Sequence, residues 1–144
     1  MCEYRGCKQV PAVRALMDEH AQLLDQAAAV RARLRGGELV DAQRLTARLV
    51  GTLRDHVQRE ERGIFTALRN EGEFVAEVDA LEAEHVDLDA RIAALDPESA
   101  DYARRLSQLF DRLAEHVERE ELGVFPVAIV TLGATGWRLV DAAS

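Results

Sequence analysis

The sequence predicts an all-α protein: an up-down antiparallel four-helix bundle with a short C-terminal helix or tail. Glycine and proline cluster at four places and divide the chain into four long segments. Apolar residues recur in each segment at three- and four-residue spacing, and none alternates with the period of two that marks a strand. Connections this short favour antiparallel neighbours, so a bundle is the natural architecture. The four breaks are Val10-Pro11, Arg35 to Glu38, Asn70 to Glu73 and Asp96 to Ser99.

The first two predicted helices carry one apolar face each. Pro11 suits the first turn of helix 1. The face of helix 1 consists of Val13, Leu16, Met17, His20, Leu23, Ala27, Val30 and Leu34. That of helix 2 consists of Leu45, Leu49, Leu53, His56, Glu60, Ile64 and Ala67. A histidine therefore interrupts the first face, and a histidine and a glutamate interrupt the second.

The last two predicted helices repeat this arrangement. The face of helix 3 consists of Phe74, Val78, Leu81, His85, Leu88, Ile92 and Leu95. That of helix 4 consists of Leu106, Leu109, Leu113, His116, Glu120, Val124 and Val127. After Gly133, a short fifth helix can pack through Trp137, Leu139 and Val140.

Length and composition indicate one domain. A chain of 144 residues that is 48% hydrophobic can bury one core and is too short for two ordinary domains. The expected boundaries are an N-terminal segment at residues 1–10 with Cys2 and Cys7, the bundle at 11–132, and a tail at 133–144. The two cysteines are expected to be exposed thiols and not a disulfide framework, with a redox or metal role as the alternative.

Charge and hydropathy exclude several kinds of partner. A net charge of −8 leaves no basic patch for nucleic acid or an anionic membrane. The start, MCEYRGCKQV, lacks the apolar region of a signal peptide, and the longest apolar run is far shorter than the roughly 20 residues of a membrane span. We therefore expect a soluble, cytoplasmic protein.

A sequence motif occurs twice, about sixty residues apart. LRDHVQREERGIF begins at Leu53 and LAEHVEREELGVF begins at Leu113. Helices 1 and 2 then form one half and helices 3 and 4 the other. Each half supplies one histidine from its first helix and a His-x-x-x-Glu from its second, which predicts a pseudo-two-fold arrangement.

The histidines and glutamates on the apolar faces predict a metal site. Glutamate is almost never buried unless it is paired, so a cation must meet Glu60 and Glu120. The i, i+4 spacing directs His56 and Glu60 to one centre, and likewise His116 and Glu120. Counting residues from the loops at about 1.5 Å each leaves mismatches of a turn or two, so all four histidines can occupy one layer.

Nitrogen and carboxylate donors together suit iron, zinc or manganese, and two carboxylates on facing helices can bridge two metals. With both glutamates bridging, each metal has two histidines and two carboxylate oxygens. A bridging oxo or hydroxo group raises this to five ligands and leaves one position open, as reactive sites require.

The series His20, His56-x-x-x-Glu60, His85, His116-x-x-x-Glu120 resembles that of hemerythrin-like (HHE cation-binding) domains, which are non-haem di-iron four-helix bundles. The resemblance covers about residues 11 to 130, and the short chain with its CEYRGC start is similar to the small actinobacterial hemerythrin-like proteins. It implies two iron ions. His20 and His56 would ligate one and His85 and His116 the other, with Glu60 and Glu120 bridging.

The chain departs from the oxygen-carrying hemerythrins at one position. Those proteins have a fifth histidine on the third helix, whereas the corresponding residues here are Leu81 and Asp89. Leu81 cannot ligate, and Asp89 is expected to be a surface acid, with metal contact as the alternative. The departure favours peroxide chemistry over oxygen carriage. The resemblance thus implies a catalase-like oxidoreductase whose small ligand is hydrogen peroxide, O2 or NO.

Other interpretations remain open. A non-catalytic protein that binds or senses oxygen, nitric oxide or iron is the main alternative. A ferritin-like site fits only at Glu82-x-x-His85, and a metal-free bundle leaves two buried carboxylates unexplained.

The other repeated residues carry expectations of their own. Glu61 and Glu121 lie one step from the ligating face and are expected to be solvated, pairing with Arg59, Arg62 or Arg119; a supporting role at the metals is the alternative. Phe65 and Phe125 are expected in the core or the pocket wall. Gly63 and Gly123 suggest close helix packing or inherited duplication.

Overall fold

A computed structural model describes residues 10–144, and Cys2 and Cys7 lie outside the described residues. Every regular element in this range is helical. The elements are α1 (Pro11–Arg35), α2 (Leu39–Glu60), a π-helical segment π1 (Glu61–Phe65), α3 (Thr66–Glu71), α4 (Val75–Ala93), α5 (Tyr102–Arg119), a second π-helical segment π2 (Glu120–Val124), α6 (Phe125–Thr131) and α7 (Ala134–Ala142). The all-α prediction is confirmed.

The helices begin and end where the sequence has its breaks. Pro11 opens α1 with its ring in the first turn, where a missing N–H is not needed. Gly72 follows α3 at φ +73°, in the left-handed conformation that ends many helices and that favours glycine. The long elements α2, π1 and α3 are continuous, as are α5, π2 and α6. The glycine and proline residues therefore predicted the breaks between the long helical segments correctly.

The apolar core consists of two clusters, one on each side of the four histidines. Along α1, Leu16 belongs to one cluster and Leu23 to the other, with His20 between them. Along α4, Leu81 and Leu88 are divided in the same way by His85. The polar side chains thus form a layer across the middle of an otherwise apolar interior, as the counting from the loops predicts.

The C-terminal helix α7 packs against π1 and α3. Val140 of α7 is buried, and Trp137 and Leu139 pack against the same cluster. The helix predicted after Gly133 is therefore present, and it covers the chain directly after Glu60. None of the helices among residues 10–144 combines the length and the apolar character needed to cross a bilayer.

The two repeated glycines have different surroundings. A Cβ on Gly63 would lie 3.1 Å from Ala143 Cβ and 3.5 Å from Val140 Cα, whereas a Cβ on Gly123 would meet nothing within 4 Å. Close packing, one of the two explanations drawn from the sequence, therefore applies to Gly63 and not to Gly123.

We expect Gly123→Ala to raise the free energy of unfolding by about 1 kcal/mol, the difference in helix propensity. Gly63→Ala has the same propensity gain but crowds α7, so its free energy of unfolding should be lower than that of Gly123→Ala. Urea denaturation of the two metal-free variants measures the difference. Equal stabilisation in both would contradict the close contact between Gly63 and α7.

Candidate metal centre

Four histidines converge in the polar layer, one from each of α1, α2, α4 and α5. His20 and His56 have ring centroids 4.7 Å apart, and so do His85 and His116. All four are buried, with 6% or less of each residue exposed. The Nε2 atoms of His85 and His116 lie 3.0 Å apart, so these two rings point at one spot.

The carboxylates of Glu60 and Glu120 lie between the two pairs of histidines. Glu60 Oε2 is 3.2 Å from His56 Nε2, and its Oε1 is 3.2 Å from His85 Nε2. Glu120 Oε1 is 2.9 Å from His20 Nε2, and its Oε2 is 3.2 Å from His116 Nε2. Each carboxylate therefore offers one oxygen to each half of the protein.

These six side chains form two overlapping groups of possible metal ligands. His20 and His56 form one group with both glutamates, and His85 and His116 form the other with the same glutamates. Within each group the ligand atoms lie within 4.8 Å of one another. The structure thus brings together all six residues that the sequence singled out, in the pairing that the resemblance implied.

Six of the eight donor atoms facing the centre lack hydrogen-bond partners among residues 10–144, and the other two, the Nε2 atoms of His85 and His116, contact each other. Both oxygens of Glu60 and of Glu120, and the Nε2 atoms of His20 and His56, are buried without one. A buried carboxylate without hydrogen bonds costs several kcal/mol unless a cation meets it. The donor set therefore fits metal ions held between these side chains.

A carboxylate outside the centre binds the Nδ1 atom of every histidine. The four contacts are His20 with Glu121 at 2.7 Å, His56 with Glu19 at 2.6 Å, His85 with Glu61 at 2.8 Å and His116 with Glu84 at 2.7 Å. A carboxylate can only accept, so Nδ1 carries the donated proton. In the neutral ring this leaves the lone pair on Nε2, directed at the centre.

The outer carboxylates connect the helices in a closed ring. Glu19 of α1 binds the histidine of α2, Glu61 of π1 binds that of α4, Glu84 of α4 binds that of α5, and Glu121 of π2 binds that of α1. Each outer glutamate is a sequence neighbour of an inner ligand. Consecutive helical residues project about 100° apart, so the neighbour of an inward residue faces the adjoining helix.

This ring corrects the expectation for Glu61 and Glu121. Among residues 10–144 neither pairs with an arginine; instead, they contact His85 and His20. Arg59 instead lies against Glu19, and Arg119 against Glu84. The sequence did contain a signal for this arrangement. A glutamate directly precedes the histidine of predicted helix 1 and that of predicted helix 3, and another glutamate directly follows each of the two inner glutamates.

Both shared glutamates lie where an α-helix becomes a π-helix. Glu60 is the last residue of α2, and Glu120 is the first residue of π2. A π turn contains an extra residue, which shifts the buried face downstream, and such turns are common at functional sites. The sequence spacing placed Val127 on the apolar face, but Phe125 and Ala128 are fully buried and Val127 only partly.

Two phenylalanines form apolar walls of the centre, as predicted. Phe125 stacks on His20 with ring centroids 5.5 Å apart and planes 9° apart. Phe65 stacks on His85 at 5.6 Å and 15°. Both phenylalanines are fully buried. They restrict the rotation of one histidine in each group and keep water from its face.

The residues at the place of a fifth histidine do not join the centre. Leu81 is buried in an apolar cluster. Asp89 is 67% exposed, and Arg54 lies 3.7 Å from it. Asp89 is absent from both ligand groups, in agreement with its interpretation as a surface acid.

A cleft of about 240 Å³ reaches His116 from outside, and two further clefts reach other histidines. One, of about 590 Å³, reaches His20 and is lined by Arg14, Met17, Asp18, Ala21, Leu24, Val117 and Glu121. The other, of about 220 Å³, reaches His85 and is mostly apolar, with Leu53, Val57, Leu88 and Ile92 in its lining. Because the donor atoms themselves are buried, only small molecules fit between them.

The buried glutamates alter the proton affinity of the metal-free centre. Burial opposes protonation of His56, but the charge of Glu60 and the contacts with Glu19 and Glu60 outweigh it and raise the pKa of His56 to about 9. The pKa of His85 also rises to about 9, because its contacts with Glu60 outweigh burial. Burial favours neutral Glu60, yet the histidines hold the pKa of Glu60 well below its usual value.

We expect the metal-free protein to lose stability as the pH rises from about 6.5 towards 9. A raised histidine pKa stabilises the fold fully below the unfolded pKa and loses that contribution through the folded pKa, by roughly 3 kcal/mol per group as an upper bound. The contribution of Glu60, whose pKa is lowered, is lost only below about pH 4.5. Urea midpoints at pH 5.5, 7 and 9 measure this, and a higher midpoint at pH 9 than at pH 5.5 would contradict it.

A family model described as the hemerythrin HHE cation binding domain matches residues 12–128. The matched region includes all six inner side chains and all four outer glutamates. No curated protein and no solved structure matches the chain with significance.

Proposed function

Because the chain belongs to the hemerythrin HHE cation-binding domain family, we propose that it is a non-haem di-iron protein that decomposes hydrogen peroxide. We also propose that its four long helical rods run as an up-down antiparallel bundle, at residues 11–132. The observation that carries the proposal is the set of buried donor atoms without hydrogen-bond partners, which converge from two halves of the protein on shared carboxylates.

Each half would hold one iron through its own two histidines. His20 and His56 would bind the first, and His85 and His116 the second. Glu60 and Glu120 would bind both, because each presents one oxygen to each histidine pair. The mixed nitrogen and oxygen donors suit iron, and cation binding is the property for which the family is named.

A di-iron centre held here would supply two-electron redox chemistry: the two electrons and two protons released when one peroxide is oxidised to O2 would reduce a second peroxide to two water molecules. The protein side chains supply the setting for that exchange. The outer carboxylates keep the Nε2 lone pairs directed inward, and the two phenylalanines exclude bulk water. The clefts at His20 and His85 give a molecule as small as hydrogen peroxide a way in.

The second candidate is a protein that binds O2, NO or iron without turnover. The observation in its favour is that each of the two ligand groups consists of the proposed ligands alone among the described residues. No other histidine, cysteine, aspartate or glutamate in that range is in either group to transfer protons during catalysis. This candidate keeps the same metal centre and differs only in the absence of steady turnover.

Metal analysis combined with an oxygen electrode tests the proposal. After anaerobic loading with Fe(II), the wild type should contain about two irons per chain and should evolve O2 steadily from hydrogen peroxide. His116→Ala should lose most of this activity, whereas the exposed control Asp89→Asn should retain it. One zinc per chain, or no metal, would overturn the di-iron centre; two irons without O2 evolution would favour the binding protein.

A further inference from the structure

The four outer glutamates fall into two kinds. Glu19 and Glu84 each contact an arginine in addition to a histidine: Arg59 Nε is 2.8 Å from Glu19 Oε2, and Arg119 Nε is 2.6 Å from Glu84 Oε2. Glu61 and Glu121 form no side-chain ion pair with an arginine among residues 10–144. The difference follows the pseudo-symmetry, since each half has one glutamate of each kind.

Arginine, glutamate and histidine form one chain of contacts in each half. Arg59 contacts one oxygen of Glu19, and the other oxygen binds His56 at 2.6 Å. The second half repeats this with Arg119, Glu84 and His116. In both sets of contacts the arginine lies three residues after its histidine, and the glutamate belongs to the preceding long helix.

We infer that Arg59 and Arg119 are positioning residues for the metal ligands His56 and His116, acting through Glu19 and Glu84. The inference rests on the proposed metal centre. By binding the outer oxygen, each arginine fixes the rotation of the glutamate. The inner oxygen then holds the histidine Nδ1–H and directs Nε2 at the metal. The arginine of the repeated H-V-x-R-E-E motif thereby acquires a role that its partly exposed (Arg59) or exposed (Arg119) position on the helix does not suggest.

The strength of the two contacts should differ. The Arg59 side chain is 33% exposed and that of Arg119 is 49% exposed. The Nε–H of Arg59 is not aligned for a hydrogen bond, so its contact with Glu19 is an attraction between charges. Water screens such an attraction more where the pair is more exposed. Arg59 should therefore position its ligand more strongly than Arg119.

Competition between the metal-free protein and a chelator for Co(II) tests the inference without using activity. The wild type should bind two equivalents. Arg59→Gln should bind in two phases, with one equivalent weakened by about tenfold, the lower end of the range for groups that orient a ligand. Arg119→Gln should show a smaller loss. Arg59→Lys, which keeps the charge, should restore most of the affinity.

Arg62→Gln is the matched control. Arg62 is exposed, lies three residues along the chain from Arg59, and forms no ion pair with the described residues. Its affinity for Co(II) should stay within twofold of the wild type. Thermal unfolding of the metal-free variants shows at which temperature all of them are folded. The Co(II) titrations are made at that temperature, so a loss of affinity reports on positioning of the ligand and not on unfolding.

The outcomes distinguish the two proposals. Two equivalents bound by Arg59→Gln with wild-type affinity would overturn the positioning role and leave the metal centre intact. Equal weakening by Arg62→Gln would also overturn it, since general surface charge would then explain the effect. A wild type that binds no Co(II) would overturn the metal centre and this inference with it.

Discussion

Glu60→Gln should abolish binding of both metal ions, whereas His56→Ala should abolish binding of only one. Glu60 presents an oxygen to each histidine pair, and it belongs to both ligand groups. An amide offers one neutral oxygen and cannot serve two cations as a carboxylate does. Iron per chain after loading and desalting should fall from about two to near zero in Glu60→Gln and to about one in His56→Ala.

Glu61→Gln is the matched control for this prediction. Glu61 is the next residue, and it contacts the Nδ1 side of His85 and not the centre. This variant should keep both metals with reduced affinity, because groups that orient a ligand contribute less than the ligand itself. Retention of two irons by Glu60→Gln would contradict the shared role of this carboxylate.

Phe125→Ala should lower the free energy of unfolding by about 3–5 kcal/mol, as expected for a fully buried phenylalanine. It should also speed the loss of metal. Phe125 stacks on His20 at 5.5 Å, so its removal frees that ring to rotate and admits water to its face. Urea denaturation of the metal-free protein measures the first effect, and the rate of iron transfer to a chelator measures the second.

Phe110→Ala separates these two effects. Phe110 is also buried but belongs to the cluster on the other side of the histidine layer, and no histidine ring stacks on it. Phe110→Ala should lower the free energy of unfolding by a similar amount. The rate of iron loss, measured under folding conditions, should stay near that of the wild type. Equal acceleration of iron loss in both variants would show that core stability alone controls metal retention.

Most of the fold and of the inner centre could be predicted from the sequence, because a small number of sequence patterns determine them. Glycine and proline mark the helix ends, since Gly72 has a left-handed conformation and Pro11 lacks an N–H. The six inner residues stand out because polar groups on an apolar face are rare and need a partner. The i, i+4 spacing then brings each pair to one point, for example His116 and Glu120.

The outer parts of the centre could not be predicted in the same way. Glutamates on a helix surface are common, so Glu19 and Glu84 look like ordinary solvated acids until their distances to the facing helix are known. The π turns carry no clear residue signal, and after π2 the buried residue is Ala128 and not the expected Val127. The contact between α7 and Gly63 depends on how the chain turns at Leu132 and Gly133.

The ring of outer glutamates divides into contacts within a half and contacts between halves. His56 with Glu19, and His116 with Glu84, join helices of the same half, and these are the contacts that an arginine supports. His20 with Glu121, and His85 with Glu61, cross from one half to the other without such support. Each half thus holds one of its histidines with its own outer glutamate and the other with an outer glutamate of the other half. In the proposed metal-bound form, ions that share Glu60 and Glu120 would join the two halves in addition to these contacts.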